Sequence, residues 1–354
     1  MLKQVERFRL QGEACARLGS PMYAWLLARL ADDLDAGGVT GEVLAGHEDD
    51  PGPSALGLRL LGSVHRLVLE RRAGDLATCY PSVGGTWEPD AGWAALRRLL
   101  AEQPDAVREW LDRPPQTNEV GRAGALMGGL LSIDASLRRP VRLFEIGSSG
   151  GLNLLADRFA YVDASGTTYG DPGAPLVLDS AWQGRSLPAW PDLRVVERVG
   201  SDVLPVDVST TEGRLALTAY VWPDQHARLE RLRAALDLAQ RVGVEVRRQD
   251  AVSFVESVAL RQGATTVLWH SVMWQYLTPA EQDAVSARVA ALGAAASPDA
   301  PFAHLFLEPT RRAPDGEHEF LVVLETWPTG DRRVLGTSVG HGLPTTWEPV
   351  RQPA

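Results

Sequence analysis

Two stretches carry residue types that could do chemistry: LFEIGSSGGLN at 143–153 and HSVMWQYL at 270–277. In the first, Glu145 precedes a turn built from Gly147, Ser149 and Gly151. A turn without Cβ atoms lets a ligand reach the backbone, and a helix opening near Leu152 would aim amides and a positive dipole end at it. The same letters spell G-x-S-x-G, the elbow in which a strained strand-to-helix turn presents a nucleophilic serine. Ser149 would then be served by Asp250 and either His270 or His341, in the chain order Ser, Asp, His. Glycine turns also serve plain close packing, so the motif alone leaves three readings open.

In the second stretch His270 could orient an acceptor or remove its proton, or be a hydrogen-bonded structural residue. Trp222, Trp269, Trp274 and Tyr276 make either an aromatic wall or ordinary core. Asp224 and Asp250, each after an apolar run, could face a ligand or cap the helices that follow them. Glu119 and Arg122, in EVGR, are three residues apart on an expected helix and so share a face. They would form a lid over a pocket or a solvated surface pair. G-x-G-x-x-G and G-x-x-x-x-G-K-[ST] are both missing, and the seven histidines form no H-x-x-x-H or H-x-H pair, so neither a dinucleotide, a nucleotide phosphate nor a metal site is readable.

The elements that must position these residues change character along the chain. Residues 1–140 read as helices punctuated by turns, with Ser20-Pro21 as N-cap and first position of MYAWLLARLADDL. From 141 apolar runs alternate with helical segments, the pattern of a mostly parallel sheet with helices on its faces. VRLFEI, RLALTAYVW, VEVRRQDA, TTVLWH and PFAHLFLEP are the expected strands. Residues 160–212 interrupt them as an insertion with short strands in PLVLDSAW and RVVERV, and EFLVVLETW with RRVLGTSVG makes a C-terminal antiparallel hairpin.

Five interleaved strands closed by a hairpin resemble the Rossmann-like α/β sheet of class I S-adenosylmethionine-dependent methyltransferases, here with an N-terminal helical cap over 1–140 and the sheet domain over 141–354. That family's acid-x-G-x-G-x-G spacing falls on Glu145, Gly147, Ser149 and Gly151, with serine in place of the central glycine. The resemblance implies S-adenosylmethionine as cofactor, with Glu145 and the turn at its amino-acid end, Asp224 at the ribose and Asp250 with Ala251 at the adenine. It implies a small-molecule methyl acceptor facing His270 and Tyr276 as catalytic residues, with Glu119, Arg122, Trp222 and Trp274 around it. Four blocks in order, NEVGRAGAL, LFEIGSSGGLNLLADRF, AYVWPDQHARLERL and HSVMWQYL, look like the bacterial family called domain of unknown function 2332.

The whole chain fits an ordinary folded enzyme. Of 354 residues, 45% are hydrophobic and 23% charged, and a formal net charge of −10 without basic blocks argues against nucleic acid or an anionic membrane as partner. Charges at Lys3, Glu6, Arg7 and Arg9 interrupt what a secretory signal would keep apolar, and no run reaches the ~18 residues of a spanning helix. Cys15 and Cys79 are the only cysteines, which fits two reduced thiols in a cytoplasm. The oligomeric state stays open.

Overall fold

The structure, a computed structural model, describes residues 2–51, 54–113, 115–189 and 193–349. Two turn sequences expected to separate helices, DDPGP at 49–53 and RPPQ at 113–116, fall in part on Gly52, Pro53 and Pro114, which lie outside these. The chain forms two compact units, Met1–Thr117 with Thr210–Glu230, and Asn118–Ser209 with Arg231–Ala354. The EVGR block therefore belongs with the sheet and not with the helices expected to run to 140.

Helices α1 (Leu2–Arg17), α2 (Pro21–Asp35), α3 (Val39–Val43), α4 (Leu56–Leu69), α5 (Pro89–Glu102) and α6 (Pro104–Arg108) build the first unit. The second has α7 (Ala123–Leu137), α10 (Ala251–Ser257) and α11 (Pro279–Ala295); α8 (Thr211–Ala219) returns to the first, and the division falls within α9 (His226–Val242). In the helical unit Ser20 caps α2 as expected, its hydroxyl oxygen accepting from the Tyr23 amide at 3.2 Å with Pro21 in the first turn. Leu26, Leu27 and Leu30 of α2 and Leu60, Leu61 and Val64 of α4 fill a shared core with Phe8 and Trp222. Gly57 permits this packing, because a Cβ there would stand 2.7 Å from Leu27 Cδ2.

RLALTAYVW, expected as a strand, is instead α8 and the turn after it. The Thr210 hydroxyl accepts from the Gly213 amide at 3.0 Å, and the buried positions Gly213, Leu217 and Ala219 follow a helical period. Leucine and alanine are strong helix formers, and local propensity with a good cap decided a run whose apolar pattern suited either state.

The second unit holds one sheet of eleven strands: β1 (Val141–Ile146), β2 (Ala160–Asp163), β3 (Thr168–Tyr169), β4 (Val177–Gly184), β5 (Val195–Asp202), β6 (Val246–Arg248), β7 (Thr265–Ser271), β8 (Phe302–Thr310), β9 (Glu319–Trp327), β10 (Asp331–Ser338) and β11 (Thr345–Trp347). Their order is β3-β2-β4-β11-β10-β9-β8-β7-β1-β5-β6. Six neighbouring pairs are parallel and four antiparallel, so the α/β, mostly parallel class holds. The hairpin β9-β10 forms as expected. The expected insertion is really two things: β2, β3 and β4 extend the far side of the sheet, while β5 lies between β1 and the edge strand β6.

Every position of β1 and β7 is buried, as a parallel strand covered on both faces requires. The small residues of α7 serve the close approach read from its sequence: a Cβ on Gly128 would meet the Trp347 ring at 2.0 Å, and one on Gly129 the Leu305 side chain at 2.4 Å. From β1 the chain runs outward through β5 and β6, then returns to lay down β7 and β8 on the other side. The carboxyl ends of β1 and β7 thus flank a reversal of strand order, where open α/β sheets bind ligands.

Candidate functional site at the strand ends

At the end of β1 the Glu145 carboxyl group is buried, 2% exposed. Its Oε1 accepts from Trp269 Nε1 at 3.1 Å, and its Oε2 has no partner. Burial pushes its pKa up to about 8, against the hydrogen bond from Trp269 and the charge of Arg122, with Asp202 raising it further. A carboxyl group with one idle oxygen suits a cationic or hydrogen-bond-donating ligand. Ser201 Oγ, on the neighbouring strand opposite Ile146, and Asn153 Oδ1 are also buried without partners.

The turn after β1 is tightly held. Ser148 N donates to Ser201 O at 3.0 Å, Ser149 N to Asp202 Oδ2 at 2.9 Å, Gly151 N to Ser148 O at 2.8 Å and Leu152 N to Asn118 Oδ1 at 2.9 Å. The space a Cβ would take at Gly147 is claimed by Met273 at 2.9 Å, and at Gly151 by Val246 Cγ2 at 2.7 Å. The helix expected after the turn is a 3-10 segment over Leu152–Arg158. These four amides serve the fold, and a ligand here would meet side chains more than a cradle of free N–H groups. Ser149 has φ +53, an uncommon region for a non-glycine residue.

Glu119 and Arg122 are neither a lid nor a surface pair. Glu119 opens a 3-10 turn, Oε1 accepting from Gly121 N at 3.1 Å, and its own carbonyl accepts from Asn153 Nδ2 at 3.3 Å. Arg122 donates from Nε to Gly340 O at 3.1 Å and from Nη1 to Ser271 O at 3.2 Å, tying the end of β7 to the segment after β10.

His270 lies inside a line of four titratable side chains on one sheet face. Its Nδ1 is 2.8 Å from Glu308 Oε1 and its Nε2 is 3.1 Å from His304 Nε2, while His304 Nδ1 is 3.0 Å from Glu325 Oε2. Arg332 Nε lies 3.1 Å from Glu325 Oε1 at the end of this line, and burial pushes the His304 pKa down. Glu308 Oε1 also accepts from Met273 N at 3.0 Å and Trp274 N at 3.3 Å; its Oε2 is buried without a partner. Trp274 stacks on His270 with centroids 5.2 Å apart, and Tyr276 beyond it is half exposed.

The expected ligand acids separate. Asp250 caps α10, accepting from Ser253 N and Oγ, both at 2.8 Å, with Ala251 as the first helical residue; these contacts hold its pKa below the usual carboxylate range. Asp224 belongs to the helical unit, where it accepts from Ser20 Oγ at 2.6 Å and Met22 N at 3.0 Å and so caps α2 rather than the helix that follows it. Trp222 is core there, 5.9 Å from the Tyr23 ring. No group of three His, Cys, Asp or Glu residues able to hold a metal occurs among the described residues, and no helix among them is long and apolar enough to cross a membrane.

A family model described as an uncharacterized protein conserved in bacteria, domain of unknown function 2332, matches residues 5–347. The chain belongs to this family. No curated protein matches it.

In this DUF2332 chain the carboxyl ends of β5 and β8 supply site residues that sequence reasoning missed. Asp202 ends β5, accepting from Ser149 N and, at 2.9 Å, from Leu204 N. Its signal was present in RVVERVGSD, an apolar run ending in an acid, but the run was assigned to an insertion. His304 and Glu308 were equally legible, since alternate positions of PFAHLFLEP share one face of a strand.

Proposed function

We propose that this chain binds S-adenosylmethionine at the carboxyl ends of β1, β5 and β6 and directs methyl transfer to a small molecule held at the ends of β7 and β8. The observation that carries this reading is Glu145, a buried acid with an idle oxygen at the switch point of five mutually parallel strands, β6-β5-β1-β7-β8. Asp202 and Asp250 stand at the ends of the next two strands outward. Strands lie about 4.8 Å apart, so three acceptors span roughly 10 Å, a length suited to a ligand with an amino group, ribose hydroxyls and an adenine amine along it.

In this reading Glu145 takes the ligand's ammonium group, losing its own proton as the cation arrives. Asp202 replaces Asp224 as the acceptor for the ribose, and Asp250 with Ala251 faces the adenine. When bound, the cofactor supplies an electrophilic methyl group. Glu308 Oε2 accepts the hydrogen bond of the acceptor's X–H and then its proton, while His270 holds Glu308 in place and Trp274 and Tyr276 flank the acceptor. Alignment and electrostatics then provide most of the catalysis.

The test is calorimetric titration with S-adenosylmethionine and S-adenosylhomocysteine, beside thermal melts. At ~100 times the dissociation constant the ligand should stabilise the protein by about 2.7 kcal/mol. Glu145→Gln and Asp202→Asn should each weaken binding at least tenfold; absence of binding to well-folded wild type rejects the proposal.

A second reading has one observation in its favour, the left-handed backbone of Ser149, which suits a nucleophile elbow. Against it, both ring nitrogens of His270 are engaged by Glu308 and His304, and Asp250 is engaged at α10. Labelling of Ser149 by a fluorophosphonate would put the hydrolase first. Failure of both experiments would favour a binding protein without catalysis.

A further inference from the structure

Besides Glu145 and the turn after β1, the sheet unit has a cleft of about 560 Å³. It is bounded by the last turns of α7, by β10 from Arg332 to Leu335, and by the segments after β4, β8 and β11. β11 is short and pairs only with Gly336 and Thr337 of β10, which leaves the first half of β10 to form one wall. Four arginines line the cleft, Arg185, Arg312, Arg332 and Arg333, in a chain whose net charge is −10.

Their partners are unevenly distributed. Arg312 is ion-paired to Glu319 at 2.8 Å and to Glu348, and Arg332 to Glu325 at 3.1 Å. Among the described residues the Arg185 side chain meets only backbone carbonyls, Glu348 O at 2.9 Å and Ser186 O at 3.2 Å. Arg333 has no hydrogen bond or ion pair among the described residues. Burial and the charge of Arg333 push the Arg185 pKa below its ordinary value, as two like charges sharing a cleft must. A guanidinium cannot relieve this by losing its proton under ordinary conditions, so an anion bound between the two would relieve it instead.

We propose that the cleft binds a small molecule bearing a dianionic phosphate monoester, gripped by Arg185 and Arg333. Two guanidinium charges match two negative charges; Arg333 offers its whole planar fork to phosphate oxygens and Arg185 the donors left beyond its two carbonyl contacts. The volume exceeds what a phosphate group needs and falls within the ~300–1,000 Å³ of small-ligand sites. Beside Ser132, Ser136 and Glu348, which is paired to Arg312, the cleft is lined by Pro188, Val334, Leu335 and Pro349, whose surface fits an apolar or aromatic body on the phosphate.

The experiment is calorimetric titration of the full chain with phenyl phosphate, inorganic phosphate and phenol. Phenyl phosphate should bind at least tenfold more tightly than inorganic phosphate, phenol should not bind, and Arg333→Gln or Arg185→Gln should weaken phenyl phosphate at least tenfold with unchanged melting. Glu145→Gln should leave this binding intact, which separates the cleft from the strand-end site. Full affinity in Arg333→Gln, or binding of phenol as tight as phenyl phosphate, would overturn the proposal. Equal affinity for inorganic phosphate would reduce the site to an anion hole and overturn its organic ligand.

Discussion

The strand-end site and the arginine cleft are opposite cases of incomplete charge pairing within one unit. At the strand ends the idle groups are carboxylate oxygens, Glu145 Oε2 and Glu308 Oε2; in the cleft they are guanidinium charges without a carboxylate among the described residues, those of Arg185, which meets carbonyls, and Arg333. A buried carboxyl group can relieve its own desolvation by taking a proton, as Glu145 does with a pKa near 8. Arginine has no such recourse. The acidic site can therefore be closed and buried in the ligand-free protein, whereas the basic one stays open to water and stabilises itself only by binding.

The largest effect expected from this contrast is a pH dependence of stability. The folded-state pKa of Glu145 is raised from 4.5 to about 8, so its contribution is fully present below the unfolded value and is lost as pH rises through 8. Integrated over that window, it amounts to about 5 kcal/mol at most. His65 and His304, with lowered pKa values, act oppositely as pH falls through the ordinary histidine range, so the wild-type curve is a sum. Urea denaturation of wild type and Glu145→Gln at pH 5 and pH 8 isolates the difference, and parallel curves would show that Glu145 is ordinarily ionised in the fold.

A middle-sized effect belongs to the line through His270. Glu308→Ala removes the acceptor for Met273 N, Trp274 N and His270 Nδ1 at once and should cost about 2–4 kcal/mol of stability. Glu308→Gln keeps an acceptor for the amides and should cost less. His304→Phe removes the partner of His270 Nε2 and of Glu325 Oε2 together and should cost about 1–3 kcal/mol in urea denaturation, and an unchanged midpoint would mean that the line adds nothing to the fold.

How far these sites were legible follows from which interactions are local. Glu145, His270 and the glycine turn were read from strand-end position, and the cap at Ser20 from two adjacent residues. The place of Asp224 at the cap of α2 was not legible, because the run before it, RLALTAYVW, suits helix and strand alike, and only its cap at Thr210 and its packing decide. Glu119 and Arg122 lay outside the reach of helical spacing, since their partners Gly340 and Asn153 are distant in the chain. The arginine cleft was equally hidden: its members come from residues 185 to 333, and nothing in their local sequence marks them as neighbours.

The smallest expected effect sharpens the comparison most. Arg333 is exposed and has no partner among the described residues, so Arg333→Gln should change stability by no more than about 0.5 kcal/mol. Its sign should be stabilising at low ionic strength, because removing one of two like charges relieves Arg185, and should vanish at about 1 M salt, where the Debye length falls to about 3 Å. Urea denaturation at the two ionic strengths reads both. A destabilising change at either would mean that Arg333 supports the fold, and the cleft would then be a structural charge cluster rather than a site held open for an anion.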